Sequence, residues 1–79
     1  MKYATTVRVT EGGRELAAVK CWGLADTVQT FTRYVLDFLE AEIDHCQTYT
    51  LRTWTEKRAA FEDNWNGGEL VVEIEEAQP

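Results

Sequence analysis

The residues able to do chemistry in this 79-residue chain are few, and most of them are carboxylates. His45 is the one histidine, Cys21 and Cys46 are the two cysteines, and there is no serine. A Ser-His arrangement is therefore excluded. A Cys-His pair would have to join His45 to Cys21, because the adjacent Cys46 points elsewhere. Ten threonines are scattered through β-favouring segments and are accounted for by strand propensity. His45, Cys46 and Cys21 offer three soft ligands at most, without the paired spacing of a structural zinc site. The run Asp37, Glu40, Glu42, Asp44 matches a calcium loop in charge alone and lacks its glycine turn. No phosphate-binding glycine motif follows Gly12-Gly13 or Gly67-Gly68. The expectation is a chain with no catalytic residues, no metal and no cofactor.

The carboxylates instead fall into two rows. Asp37, Glu40 and Asp44 recur at three- and four-residue spacing on one side of an expected helix, with Glu42 beside them. Neighbours at that spacing stand about 5–6 Å apart, comparable with successive phosphates on a nucleic-acid strand. They would crowd the last turns of the helix, where the macrodipole favours cations by roughly 0.3–1 kcal/mol each. Local inconsistency of this kind tends to accumulate at functional sites. Arg33 is placed to pair with Asp37. The second row, Glu69, Glu73 and Glu75, shares one face of the last strand.

These rows belong to a larger asymmetry. Met1–Leu36 carries five basic and three acidic residues, whereas Asp37–Pro79 carries eleven acidic and three basic. The net charge is −6 and the isoelectric point is near 4.6. Such a surface repels nucleic acid and attracts basic protein surfaces. Direct nucleic-acid binding would need a basic stripe that Lys2, Arg8, Arg14 and Lys20 do not supply. Tryptophan beside arginine is typical of binding hot spots. Trp54, two residues from Arg52, is expected to face solvent, while Trp22 and Trp65 are expected at the edges of the core.

The elements that must position these groups follow from periodicity. Lys2–Thr10 alternates as a strand, Gly12-Gly13 marks a hairpin turn, and Glu15–Trp22 is a second strand with two fairly apolar faces. An amphipathic helix runs from a cap at Asp26 or Thr27 to about His45, with Leu24, Val28, Phe31, Val35, Phe38, Leu39 and Ile43 in one stripe. Gln47–Thr55 alternates as a strand. Glu56–Trp65, with Ala59, Ala60 and Phe61, is consistent with a short helix capped by Thr55. Asn66-Gly67-Gly68 turns the chain into a last strand, Glu69–Glu75, with Leu70, Val72 and Ile74 inward. The order β-β-α-β-(α)-β specifies one α+β domain: a small antiparallel sheet of about four strands with one long helix on one face.

Such a chain is marginal in size, burying about 60% of its unfolded surface, so a homodimer stays open. The longest apolar run, Leu16–Val19, is far short of the ~20 residues that span a bilayer, and no signal peptide or membrane-surface face is evident. A cytoplasmic protein is expected, with its cysteines as free thiols.

In size, low isoelectric point, lack of catalytic residues and the rows Asp37/Glu40/Asp44 and Glu69/Glu73/Glu75, the chain resembles the small acidic inhibitors encoded by bacteriophages and mobile elements, including anti-CRISPR proteins. The resemblance is compositional, spans the whole chain and shares no motif. It implies a protein that binds a CRISPR effector complex in the host cytoplasm and blocks target DNA binding or nuclease recruitment, with no direct nucleic-acid contact. The resemblance transfers no functional residue; the two carboxylate rows and the tryptophan beside Arg52 give the expected partner-binding residues, Asp37, Glu40, Glu42, Asp44, Trp54, Glu69, Glu73 and Glu75. The competing expectation is a small assembly subunit that dimerises through an apolar sheet face, with Ala17, Val19 and Cys21 opposite Leu16, Ala18 and Trp22.

Overall fold

Alternation at period two dominates the chain, and in the computed structural model, which describes residues 4–76, it produces one antiparallel sheet of five strands. The strands are β1 (Ala4–Glu11), β2 (Arg14–Trp22), β5 (Tyr49–Trp54), β6 (Arg58–Asp63) and β7 (Glu69–Glu76), ordered β2-β1-β7-β6-β5. A single helix, α1 (Leu24–Glu40), leaves the β2 edge and crosses one face. The two-residue strands β3 (Glu42–Ile43) and β4 (Cys46–Gln47) form a separate hairpin after it. No helix among the described residues is long and apolar enough to cross a membrane.

The α+β class, the covered sheet and the single long helix agree with the sequence reading. The strand count does not: the sheet has five strands, because the segment read as a short helix is β6. Alanine favours helix locally, but Ala59, Ala60 and Phe61 are all buried in a strand paired on both sides. Tertiary pairing overrides propensity there. Thr55 caps no helix; it closes the β5–β6 turn, its N–H donating to the Arg58 carbonyl at 2.7 Å.

The helix also ends earlier than its periodicity suggests. It stops at Glu40, and Ala41 is already extended. The last turn contains no basic residue, so nothing offsets the negative end of the dipole. The Gln47 side-chain amide donates to the Leu39 carbonyl at 2.8 Å, and the Thr48 N–H donates to that of Ala41 at 3.0 Å. At the other end Gly23 is the cap, without a side-chain cap bond. Asp26 instead reaches back to accept the Trp22 N–H at 3.2 Å, and Thr27 is buried, its hydroxyl bonded to that of Thr5 at 2.7 Å.

The core lies between α1 and the covered sheet face. Val7, Val9, Cys21, Ala59, Phe61, Leu70 and Val72 meet Phe31 and Val35, with Tyr34, Phe38 and Leu39 alongside. Phe38, Tyr49 and Phe61 pack edge to face with centroids 5.4–6.4 Å apart, a geometry that adds to simple area burial. The opposite sheet face has no covering layer among the described residues.

Candidate functional site

The residues read from the sequence as one partner-binding set occupy three separate places. The first is the end of α1 and the hairpin beyond it. Asp37 and Glu40 lie on the helix, but Glu42 and Asp44 do not: Glu42 is in β3 and Asp44 begins the β3–β4 turn. The single helical row is thereby corrected to a group spread over a helix end and a hairpin. All four side chains are exposed, and among the described residues none of them has an ion-pair partner. The expected Arg33–Asp37 pair does not form.

The hairpin is tight. Ile43 pairs with Cys46, leaving Asp44 and His45 as a two-residue turn with φ of 50° and 64°. A left-handed turn matches the twist of the flanking strands, and aspartate and histidine tolerate it better than most residues. The turn holds Asp44 at the outermost point of the chain reversal. The Asn64 amide anchors the hairpin to the main sheet, donating to the Gln47 carbonyl at 3.1 Å.

The second place is the open face of the sheet. Glu69, Glu73 and Glu75 do share that face, but cations are woven between them. Glu73 stands directly across from Arg8 on β1 and from Arg58 on β6. Arg58 approaches Glu69 and Glu73 at 3.8 Å each, and Arg8 binds Glu75 at 3.4 Å and also Glu15. Arg52 pairs with Glu62 at 2.8 Å. This is a mixed-charge lattice, with Val71 and Ala60 at its centre, rather than an uninterrupted acidic strip.

Trp54 marks the third place. A bulge at Arg52 shifts the register, so that Trp54 pairs with Ala59 and turns to the covered face, the same face as Leu51. Unbroken alternation would place it on the face of Arg52, as expected from sequence, and the bulge reverses that. It is half exposed, as expected, but Trp22 and Trp65 are equally so rather than filling core edges. Trp54 forms one wall of a groove of about 280 Å³ with Leu24, Val28, Phe31 and Ile74. This groove adjoins the first half of α1. The acidic group starts at Asp37, six residues past Phe31 and so about 9 Å further along the axis at 1.5 Å per residue, and continues into the hairpin beyond Glu40.

One carboxylate pair escaped the sequence reading. Asp63, at the end of β6, is buried and faces the helix side opposite Tyr49. Its Oδ1 accepts the N–H groups of Trp65 and Asn66 at 2.9 Å each. The hydrogen bond from Glu11, and then those backbone donors, hold Asp63 down at about 2. The same contact, reinforced by partial burial, pushes Glu11 up. Burial and the Glu11 charge beside it raise the Tyr49 phenol. The signal was weak because Glu11 and Asp63 are 52 positions apart and only the strand order β1-β7-β6 brings them together.

His45 and Cys46 are exposed on the hairpin, whereas Cys21 is buried on β2, at the far edge of the sheet. No Cys-His pair is assembled. Among the described residues no three histidine, cysteine or acidic side chains converge on a metal position. Neither a family model, a curated protein nor a solved structure matches the chain.

Proposed function

We propose that the protein is a non-enzymatic interaction module that inhibits a partner by occupying its basic, nucleic-acid-binding surface. The observation that carries this reading is the group Asp37, Glu40, Glu42 and Asp44: four exposed carboxylates on a helix end and a tight hairpin, none with an ion-pair partner among the described residues. Unpaired carboxylates raise a negative potential that steers a basic partner and excludes nucleic acid from the same surface. The partner class proposed is a CRISPR effector complex, with target DNA binding as the step blocked. The action would take place in the host bacterial cytoplasm. The strand acids Glu69, Glu73 and Glu75 are assigned a lesser part, because Arg8 and Arg58 already answer their charge.

The test is competition. Purified effector complexes are assayed for target-DNA binding with wild type and with Glu40→Lys/Asp44→Asn. Asparagine is chosen at position 44 because it keeps the left-handed turn while removing the charge. Wild type should displace DNA from an effector and the variant should fail to do so. Equal inhibition by both proteins would sink the mechanism, as would an absence of wild-type inhibition across effector classes.

A further inference from the structure

The sheet has two edges, and they differ. β5 is interrupted by the bulge at Arg52, and the β3–β4 hairpin is tied to the chain beside its start. Among the described residues β2 pairs only with β1, and from Ala17 to Trp22 the register runs without a break, Val9↔Ala17 through Ala4↔Trp22. From Ala17 to Cys21 its outer N–H and C=O groups thus form a straight row with no strand paired to it among the described residues, a template for another strand, and the Trp22 N–H at the end of the run is taken by Asp26. Within this run the one charge is Lys20, and Trp22 and the neighbouring Leu16 are 56% and 45% exposed. Asp37, Glu40, Glu42 and Asp44 lie at and beyond the far end of α1, and of the acids beside this edge Glu15 is paired with Arg8 while Asp26 accepts the Trp22 N–H.

We infer that β2 pairs antiparallel with β2 of a second copy, centred on Val19, to make a continuous ten-stranded sheet. The register follows from the side chains. In a two-fold pair, residues on the same face meet, so the centre falls on a residue. Centring on Lys20 sets Lys20 against Lys20. Centring on Ala18 leaves only Ala17 to Val19 inside the regular run. Centring on Val19 uses Ala17 to Cys21, places Val19 against Val19 and Ala17 against Cys21 on the helix side, and sets Ala18 against Lys20 on the open side. Leu16, which the register skips, and Trp22 flank this run as exposed apolar side chains at its two ends. No like charges oppose. Both helices then lie on one face, and the two acidic groups stand at the outer ends. This inference does not rest on the inhibitor reading.

Ala18 tests the register directly, because it is exposed and its substitution leaves the core alone. Sedimentation equilibrium at physiological ionic strength, from low micromolar to near-millimolar protein, should show a concentration-dependent dimer. Ala18→Glu creates two carboxylate–Lys20 pairs across the interface and should tighten the dimer about three- to tenfold. Ala18→Lys opposes two cations to Lys20 and should loosen it by a similar factor. Circular dichroism melts of both variants check that folding is retained. A monomer at every concentration overturns the inference. Two variants that shift association in the same direction, or a dimer that neither shifts, also overturn it.

Discussion

Glu69, Glu73 and Glu75 stand among arginines on the open sheet face, whereas Asp37, Glu40, Glu42 and Asp44 stand on a helix end and hairpin without an ion-pair partner among the described residues. Both groups read as acidic rows. Their physical states differ because the sheet brings β1 and β6 to either side of β7, so each strand acid gains neighbours from distant sequence. The helix end has no such flanking layer. Charge answered within the fold contributes modestly to stability, and charge left unanswered is free to act on a partner.

The largest difference is expected in binding. Glu40→Lys/Asp44→Asn should weaken association with the basic partner at least tenfold, about 1.4 kcal/mol, mainly through a slower on-rate. Glu69→Gln/Glu73→Gln should change it less than about twofold. Surface plasmon resonance against an effector complex, repeated at raised salt, measures both. If the strand variant is the weaker binder, the assignment of roles is reversed.

Arg58 is the hinge of the comparison on the sheet side. Arg58→Glu removes the cation facing Glu69 and Glu73 and sets three acids side by side. Exposed pairs at 3.8 Å are individually weak, so the expected loss is about 1 kcal/mol, shrinking in high salt. Urea melts at two ionic strengths read this out. A smaller effect separates the groups by sign. Glu40→Lys should stabilise the fold by about 0.3–1 kcal/mol, because a cation suits the helix C-terminus. Glu73→Lys should destabilise it, because lysine would then face both Arg8 and Arg58. The same change in two places, with opposite outcomes, requires the two electrostatic states described above.

How much of this was legible in sequence depended on the distance over which each feature is encoded. Gly12-Gly13, Asn66-Gly67 and the alternation of Leu70, Val72 and Ile74 are local signals, and each element they mark is in place. The end of α1 was not legible, since no glycine or proline follows Glu40 and the Asp44-His45 turn is built from residues that also continue the helical charge pattern. β6 was disguised by two alanines and by Asp63, a buried polar residue where alternation demands an apolar one. The bulge that turns Trp54 to the covered face lies in the pairing of β5 with β6, not in either strand alone. Which acids were neutralised was hidden for the same reason: Arg8 and Arg58 are far from Glu73 in sequence and adjacent only across strands.

The contact between Glu11 and Asp63 gives a third carboxylate environment, in which one acid answers another, and its effect should be the smallest. The depressed Asp63 carboxyl contributes stability that is full above its ordinary value of 3.8 and is lost as pH falls through it toward about 2. Glu11 is shifted the other way. Its contribution is full below its ordinary value of 4.5 and is lost as pH rises through the elevated folded value, when two carboxylates are left in contact. The pair should therefore support the fold best near pH 4 and weaken it slightly at neutrality. Glu11→Gln supplies an N–H donor to Asp63 that never titrates. Its melting temperature should exceed that of wild type by a few degrees at pH 7 and match it near pH 4. Thermal melts across that range decide the matter: an equal gap at both ends would mean that glutamine acts through packing and not through the shared proton.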